Sequence, residues 1–186
     1  MTELTPSPAD LANLLIQMTR LDWPTDEADR LLYFDILGLR DLDMLPLRSD
    51  DPGSTRLRFT SSLPGVEGSS CMFRDQFLGL ALFCYNEPFD NGAQARTGFA
   101  GIRDHLNRDL GPPVEEWGTS TEPACLWRRG PLLLDMYRFQ RLASGVMVGP
   151  SHAARSAAHD AAYGHSSQDT DPPGSDGQQP QSGLSR

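Results

Sequence analysis

The residues able to do chemistry are few, and their spacing argues against catalysis. Gly68-Ser69-Ser70-Cys71-Met72 comes nearest to a nucleophile elbow, but the second glycine of that motif is missing. His105, beside Asp104, is the only histidine before residue 150. A triad would need the fold to bring His105 to Ser69 or Ser70. Cys84 ends an apolar run, where burial raises a thiol pKa and quiets its chemistry. His152, His159 and His165 lie in a polar C-terminal stretch with no evident frame for a metal. Asp41, Asp43, Asp50 and Asp51 cluster, but without the alternating ligands, central Gly and terminal Glu of a calcium loop. Glu115 and Glu116 are adjacent, so on a strand they point to opposite faces. "GVEGSS" has the glycines of a phosphate cradle but no lysine, and all 16 basic residues of the chain are arginine. The three cysteines, Cys71, Cys84 and Cys125, fit neither a disulfide framework nor a zinc site. No catalytic residue, metal or cofactor is expected.

Charge and composition point to binding. Of the net −9, residues 1–52 carry −7, residues 53–150 none and the remainder −2. An acidic chain is a poor fit to nucleic acid, whose phosphates require a basic face. It suits a basic protein, whose approach an acidic patch accelerates. Asp26, Glu27 and Asp29 are candidate steering residues. The segment 62–70, "SLPGVEGSS", reads as a loop whose glycines allow close backbone approach, so Gly65, Val66, Glu67, Gly68 and Ser69 are candidate contacts. Trp117, Trp127, Tyr137 and Phe139 would alternate on strands, where core packing explains them most simply. Arg128, Arg129, Arg138 and Arg141 lie near them; an exposed arginine and aromatic face would be a binding surface.

These residues need a frame. Ser7, Pro8 and Asp10 signal a helix start, and Leu11, Leu14, Leu15 and Met18 form one stripe. A second helix runs from about Thr25 to a stop at Gly38, with Ala28, Leu31, Leu32 and Ile36 as its expected apolar face. Residues 40–54 read as a polar connector. Strands follow at "LRFTS", "CMFRD" and "FLGLALFCY", the last central. Asp90 or Asn91 would cap a third helix, which Gly111-Pro112-Pro113 ends. Further strands are expected at 114–118, 123–129, 131–139 and 144–149. The order ααβββαββββ implies an α+β domain over 1–150, with six or seven antiparallel strands and helices on one face. Residues 151–186, poor in large apolar side chains, read as a disordered tail in which Ser151–Tyr163 forms a transient helix. "MTELTPSPAD" lacks a charged and apolar leader, and no apolar run reaches membrane-spanning length, so a cytoplasmic location is expected.

Three segments carry a family resemblance: "LDWP" after the first helix, "LGL" ending the second, and "GPLLLDMYRF…GVMVGP". With the element order, they resemble an uncharacterised actinobacterial family that is similar to the mycobacterial immunity factor for a secreted NAD-degrading necrotising toxin. That resemblance covers about residues 8–150. It implies a cytoplasmic antitoxin that occludes the toxin's NAD-binding cleft, with the glycine loop as the blocking element. Two other readings stay open: a secretion chaperone or adaptor holding a partner segment on its sheet or groove, and a small hydrolase needing a deep polar pocket.

Overall fold

The first helix, α1 (Pro8–Arg20), forms where its capping signals stand. The Ser7 side chain accepts a hydrogen bond from the Asp10 amide at 3.1 Å, and Pro8 opens the first turn. Leu11, Leu15 and Met18 are fully buried, each contributing roughly 1.5–3 kcal/mol of burial energy. The computed structural model describes residues 4–42, 53–88, 92–140 and 143–163.

The second helix, α2 (Glu27–Leu37), starts at Asp26 rather than Thr25. Asp26 accepts from the Asp29 amide, and Gly38 ends the helix in the left-handed region at φ 66°. Its buried face differs from the expected one. Arg30, Tyr33, Phe34 and Leu37 are buried, while Leu31, Leu32 and Ile36 are 52%, 63% and 59% exposed. Both faces of α2 are apolar, and the aromatic one offers more area to the core. Trp23 packs edge-on to Tyr33, and Phe34 edge-on to Phe59.

Eight antiparallel strands make one sheet. They are β1 (Arg40–Asp41), β2 (Ser54–Thr60), β3 (Glu67–Phe73), β4 (Gln76–Pro88), β5 (Glu115–Gly118), β6 (Pro123–Arg129), β7 (Leu132–Gln140) and β8 (Ala143–His152). Their spatial order is β1-β2-β3-β4-β8-β7-β6-β5, so two four-stranded meanders meet at β4 and β8. The α+β class agrees with the sequence. The extra strand is β1, at the start of the expected connector, where Asp41 meets the buried Arg30. Residues 43–52, the rest of that connector, lie outside the described residues.

A third helix, α3 (Ala93–Leu110), links the meanders. The expected caps, Asp90 and Asn91, lie outside the described residues. The Ala95 amide instead bonds a carboxylate oxygen of Glu87 on β4 at 3.0 Å. The register of β4 shifts between Cys84 and Glu87, and Tyr85 there adopts φ 54°. That bulge turns Cys84 and Tyr85 to the same buried side. The Tyr85 ring fills the place a side chain on Gly98 of α3 would take, 2.2 Å from an ideal Cβ.

Helices α1, α2 and α3 cover one face of the sheet, burying Phe59, Leu82, Trp127, Met136 and Val148 beneath them. The other face is not bare. β8 continues to His152 and leads into α4 (Ala153–Tyr163), so ordered structure extends past the boundary expected at 150. His159 of α4 meets Phe73 edge-on at 5.0 Å, and its Nε2 lies 3.1 Å from Ser54 Oγ. Arg155 donates to the carbonyl oxygens of Pro24 and Phe77 at 2.6 and 2.9 Å. An alanine-rich segment with no buried residue of its own is thus pinned by two long polar side chains and a ring stack. The expected single helical layer therefore has a fourth helix across from it. Residues 164–186 lie outside the described residues.

Candidate functional site

The sequence placed one candidate site on a glycine loop and on the acidic start of α2. The structure separates them. Glu67, Gly68 and Ser69 are paired residues of β3, so the turn is shorter than expected. It is closed by the Ser61 amide bonding Val66 O and the Val66 amide bonding Leu63 O. Val66 is 1% exposed and belongs to the core. An ideal Cβ on Gly68 would stand 2.3 Å from the Phe59 ring, so that glycine makes room for the core rather than for a partner. Only Gly65, at φ 72° with open space around it, retains the expected freedom. The turn lies by the C-terminal end of α2, where Ser62 approaches Gly38. Asp26, Glu27 and Asp29 stand at the N-terminal end, about 16 Å away along the helix at 1.5 Å per residue. Each also has a local task. Asp26 caps α2, Asp29 accepts from the Thr25 amide, and Glu27 pairs with Arg30.

The outward side of α2 is apolar as well as acidic. Leu31, Leu32 and Ile36 are exposed, and Asp22, Asp29 and Asp35 stand exposed among them. A groove of about 450 Å³ runs beside them, walled by Leu21, Trp23, Leu32 and Ile36 with Asp22 and Asp29. This is an apolar surface with an acidic border. The hydrophobic pattern of α2 held the signal, because its apolar residues occupy more of the helix than one buried stripe needs.

The catalytic candidates do not assemble. Ser70 points into the core at 1% exposure, while Ser69 and Cys71 face away from the helical layer that carries His105. His105 Nδ1 lies 2.7 Å from an Arg108 nitrogen on its own helix. Burial pushes the Cys84 thiol up to about 12 and raises Cys125 as well. A different serine and histidine do meet. Ser54 Oγ is 3.1 Å from His159 Nε2, and His159 Nδ1 is 3.3 Å from Asp160 Oδ1. The carboxylate is the next residue on the same helix and is 55% exposed. The His159 ring packs between Phe73 and Tyr163, so this contact fastens α4 to the sheet. Among the described residues no group of three or more His, Cys, Asp or Glu could hold a metal ion. No helix among them is long and apolar enough to cross a membrane.

The open face of the sheet gathers the remaining candidates. Strand register lines up Trp117, Ala124, Tyr137, Met147 and Phe83 across five strands. Trp117 is 47% exposed. Trp127 instead points into the helical layer at 1%, donating its indole N–H to Asn107 and to Gly111 O. Arg138 is also buried, donating to the carbonyl oxygens of Ser120 and Thr121, so it marks no outer face. Arg141 lies outside the described residues. One register step from the aromatic row lie Glu115, Leu126 and Asp135. Asp135 alternates with core residues Leu134 and Met136 and so faces the open side. Burial, and secondarily the Glu115 charge, raise its pKa above the usual carboxylate value.

No protein-family model matches the chain, and no curated protein or solved structure matches it. The segments behind the family resemblance serve structure here. "LDWP" is the turn between α1 and α2, "LGL" is the α2 cap, and the late block is β7 and β8.

Proposed function

We propose that the protein is a non-enzymatic immunity protein of the cytoplasm that binds a basic toxin domain, one that degrades NAD, and occludes its active-site cleft. The observation that carries binding is the outward face of α2, where Leu31, Leu32 and Ile36 lie exposed beside Asp22, Asp29 and Asp35. A large apolar side chain left in water gains free energy when a partner covers it, roughly 25 cal/mol per Å². The acidic border favours a basic partner and speeds its approach. NAD degradation as the toxin's activity, and the cleft as the blocked site, rest on the resemblance in sequence alone. The glycine turn now carries little of this reading, since only Gly65 is open.

The test uses the purified chain and a basic, NAD-degrading toxin domain from the same genome, with NAD consumption as readout. The wild-type chain should protect NAD at stoichiometric amounts. Leu32→Glu with Ile36→Glu should lose protection while melting at the same temperature, because both side chains already sit in solvent. Protection unchanged by the pair, or no protection by the wild-type chain, would overturn the proposal.

A second reading, an adaptor or secretion chaperone, is favoured by the aromatic row on the open sheet face. It predicts capture of a partner segment with no effect on NAD consumption.

A further inference from the structure

We infer that the open sheet face at Trp117, Tyr137 and Asp135 binds an arginine side chain presented by an extended segment of a partner protein. The site is distinct from the α2 surface and does not rest on it.

The argument begins with Asp135. Among the described residues its carboxylate has no hydrogen bond and no ion pair, although it is only partly open to water. Arg128 stands nearby on β6, opposite Leu133, and forms no ion pair with it. The charge acting on Asp135 is that of Glu115, which is of the same sign. A half-buried carboxylate without a counter-charge, and with a like charge two strands away, costs stability and invites a cation.

The surroundings select which cation. Tyr137 follows Asp135 by two residues on the same face of β7, roughly 6.6–6.8 Å along the strand. Trp117 stands in the same relation to Glu115 on β5, and register places it in the Tyr137 row through Ala124. A cation between the rows stands beside the Asp135 carboxylate on one side and the Tyr137 side chain on the other. A guanidinium suits this pair of neighbours better than an ammonium, because it is planar, weakly hydrated and able to stack while donating hydrogen bonds at its edge.

The shape selects a polypeptide over a free cation. Tyr137 lies between two hollows of about 450 Å³ each. One is walled by Trp117, Ala124 and Phe139. The other has a small-residue floor of Ser69, Gly79 and Ala81, with Ser156 of α4 at its border. Together they span seven strands, roughly 29 Å at 4.8 Å per strand step, which is the reach of an extended segment of several residues.

The probe is an acetylated, amidated peptide of alternating leucine and arginine, titrated into the full chain with tryptophan fluorescence as readout. Trp117→Phe reports whether the signal comes from this face. Asp135→Asn should weaken binding about tenfold or more, as expected when one member of a charge-assisted pair is removed. Asn is close in size to Asp and removes the buried charge, so this variant should melt no lower than the wild type. A peptide with citrulline for arginine should bind weakly, and Leu32→Glu with Ile36→Glu should leave the affinity unchanged. Three results would each overturn the inference: equal affinity of Asp135→Asn and wild type, equal affinity of the citrulline and arginine peptides, or an equal loss from Asp26→Asn. The last would mean that general acidity attracts the peptide.

Discussion

Arg30→Met should destabilise the protein by about 2–3 kcal/mol. The Arg30 side chain is 1% exposed. Its guanidinium donates to both Glu27 oxygens at 2.6 and 2.7 Å, and to both Asp41 oxygens at 3.0 and 2.8 Å. It also lies 4.5 Å from the centre of the Phe34 ring. Burial alone would lower its pKa, but the hydrogen bonds and charges of Glu27 and Asp41 outweigh burial and hold it charged. Removing one member of a buried pair costs about 3–5 kcal/mol. Here the carboxylates remain 52% and 28% exposed and can rehydrate, so the lower estimate of about 2–3 kcal/mol follows. Methionine replaces most of the stem, so the loss comes from the charges rather than from a cavity. At about 2–4 °C per kcal/mol for a domain of this size, the melting temperature should fall by about 4–12 °C. Thermal unfolding followed by circular dichroism measures it. In a double-mutant cycle, Asp41→Asn should cost stability in the wild type and little in the Arg30→Met background. A fall below about 2 °C, or additive effects in the cycle, would refute the reasoning.

Three further outcomes follow from the same packing. Burial and Glu115 raise the folded-state pKa of Asp135 above its ordinary 3.8, so the folded state holds that proton more tightly than the unfolded state does. Stability should then fall as pH rises through the window between those values, and Asp135→Asn should flatten that part of the stability–pH curve and raise the melting temperature at neutral pH. Gly98→Val should cost at least about 1–3 kcal/mol by overpacking, because its Cβ would meet the Tyr85 ring at 2.2 Å; a melt like the wild type's would show that the ring can move. Cys84, buried and pushed up to about 12, should resist iodoacetamide until the protein unfolds, whereas the half-exposed Cys71 should be alkylated in the native state; mass spectrometry of native and denatured digests distinguishes them.

Local signals in the sequence were reliable where a single short-range cause decides the outcome. Ser7, Pro8 and Gly38 mark helix ends because capping is settled within a few residues. The strands at 123–129 and 144–149 were placed to within a few residues for the same kind of reason, turn glycines and prolines bounding apolar runs. The 62–70 loop misled because Gly and Ser are also tolerated inside strands where a neighbour presses close, and Phe59 presses on Gly68. The helix read as transient at 151–163 shows a different limit. Composition predicts how much apolar area a segment can bury, but α4 buries none and is held instead by Arg155 and His159.

The face that α2 turns to solvent shows the limit more sharply. Leu31, Leu32 and Ile36 compete with Tyr33, Phe34 and Leu37 for the core, and both sets are apolar and recur at helical spacing. Arg30 settles the competition. Read alone it is a charged residue that should face water, which favours burying the leucine side. In the fold, Glu27 and Asp41 satisfy its guanidinium and Phe34 covers it, so the helix rotates to bury an arginine and expose leucines. Asp41 lies eleven residues away from Arg30 in sequence. The orientation of α2, and with it the acid-bordered apolar groove beside Leu32 and Ile36, therefore depends on a pairing that no local pattern contains. The same dependence makes Arg30 a test of function as well as stability: variants that loosen the Arg30 contacts should disturb the α2 surface before they disturb the sheet.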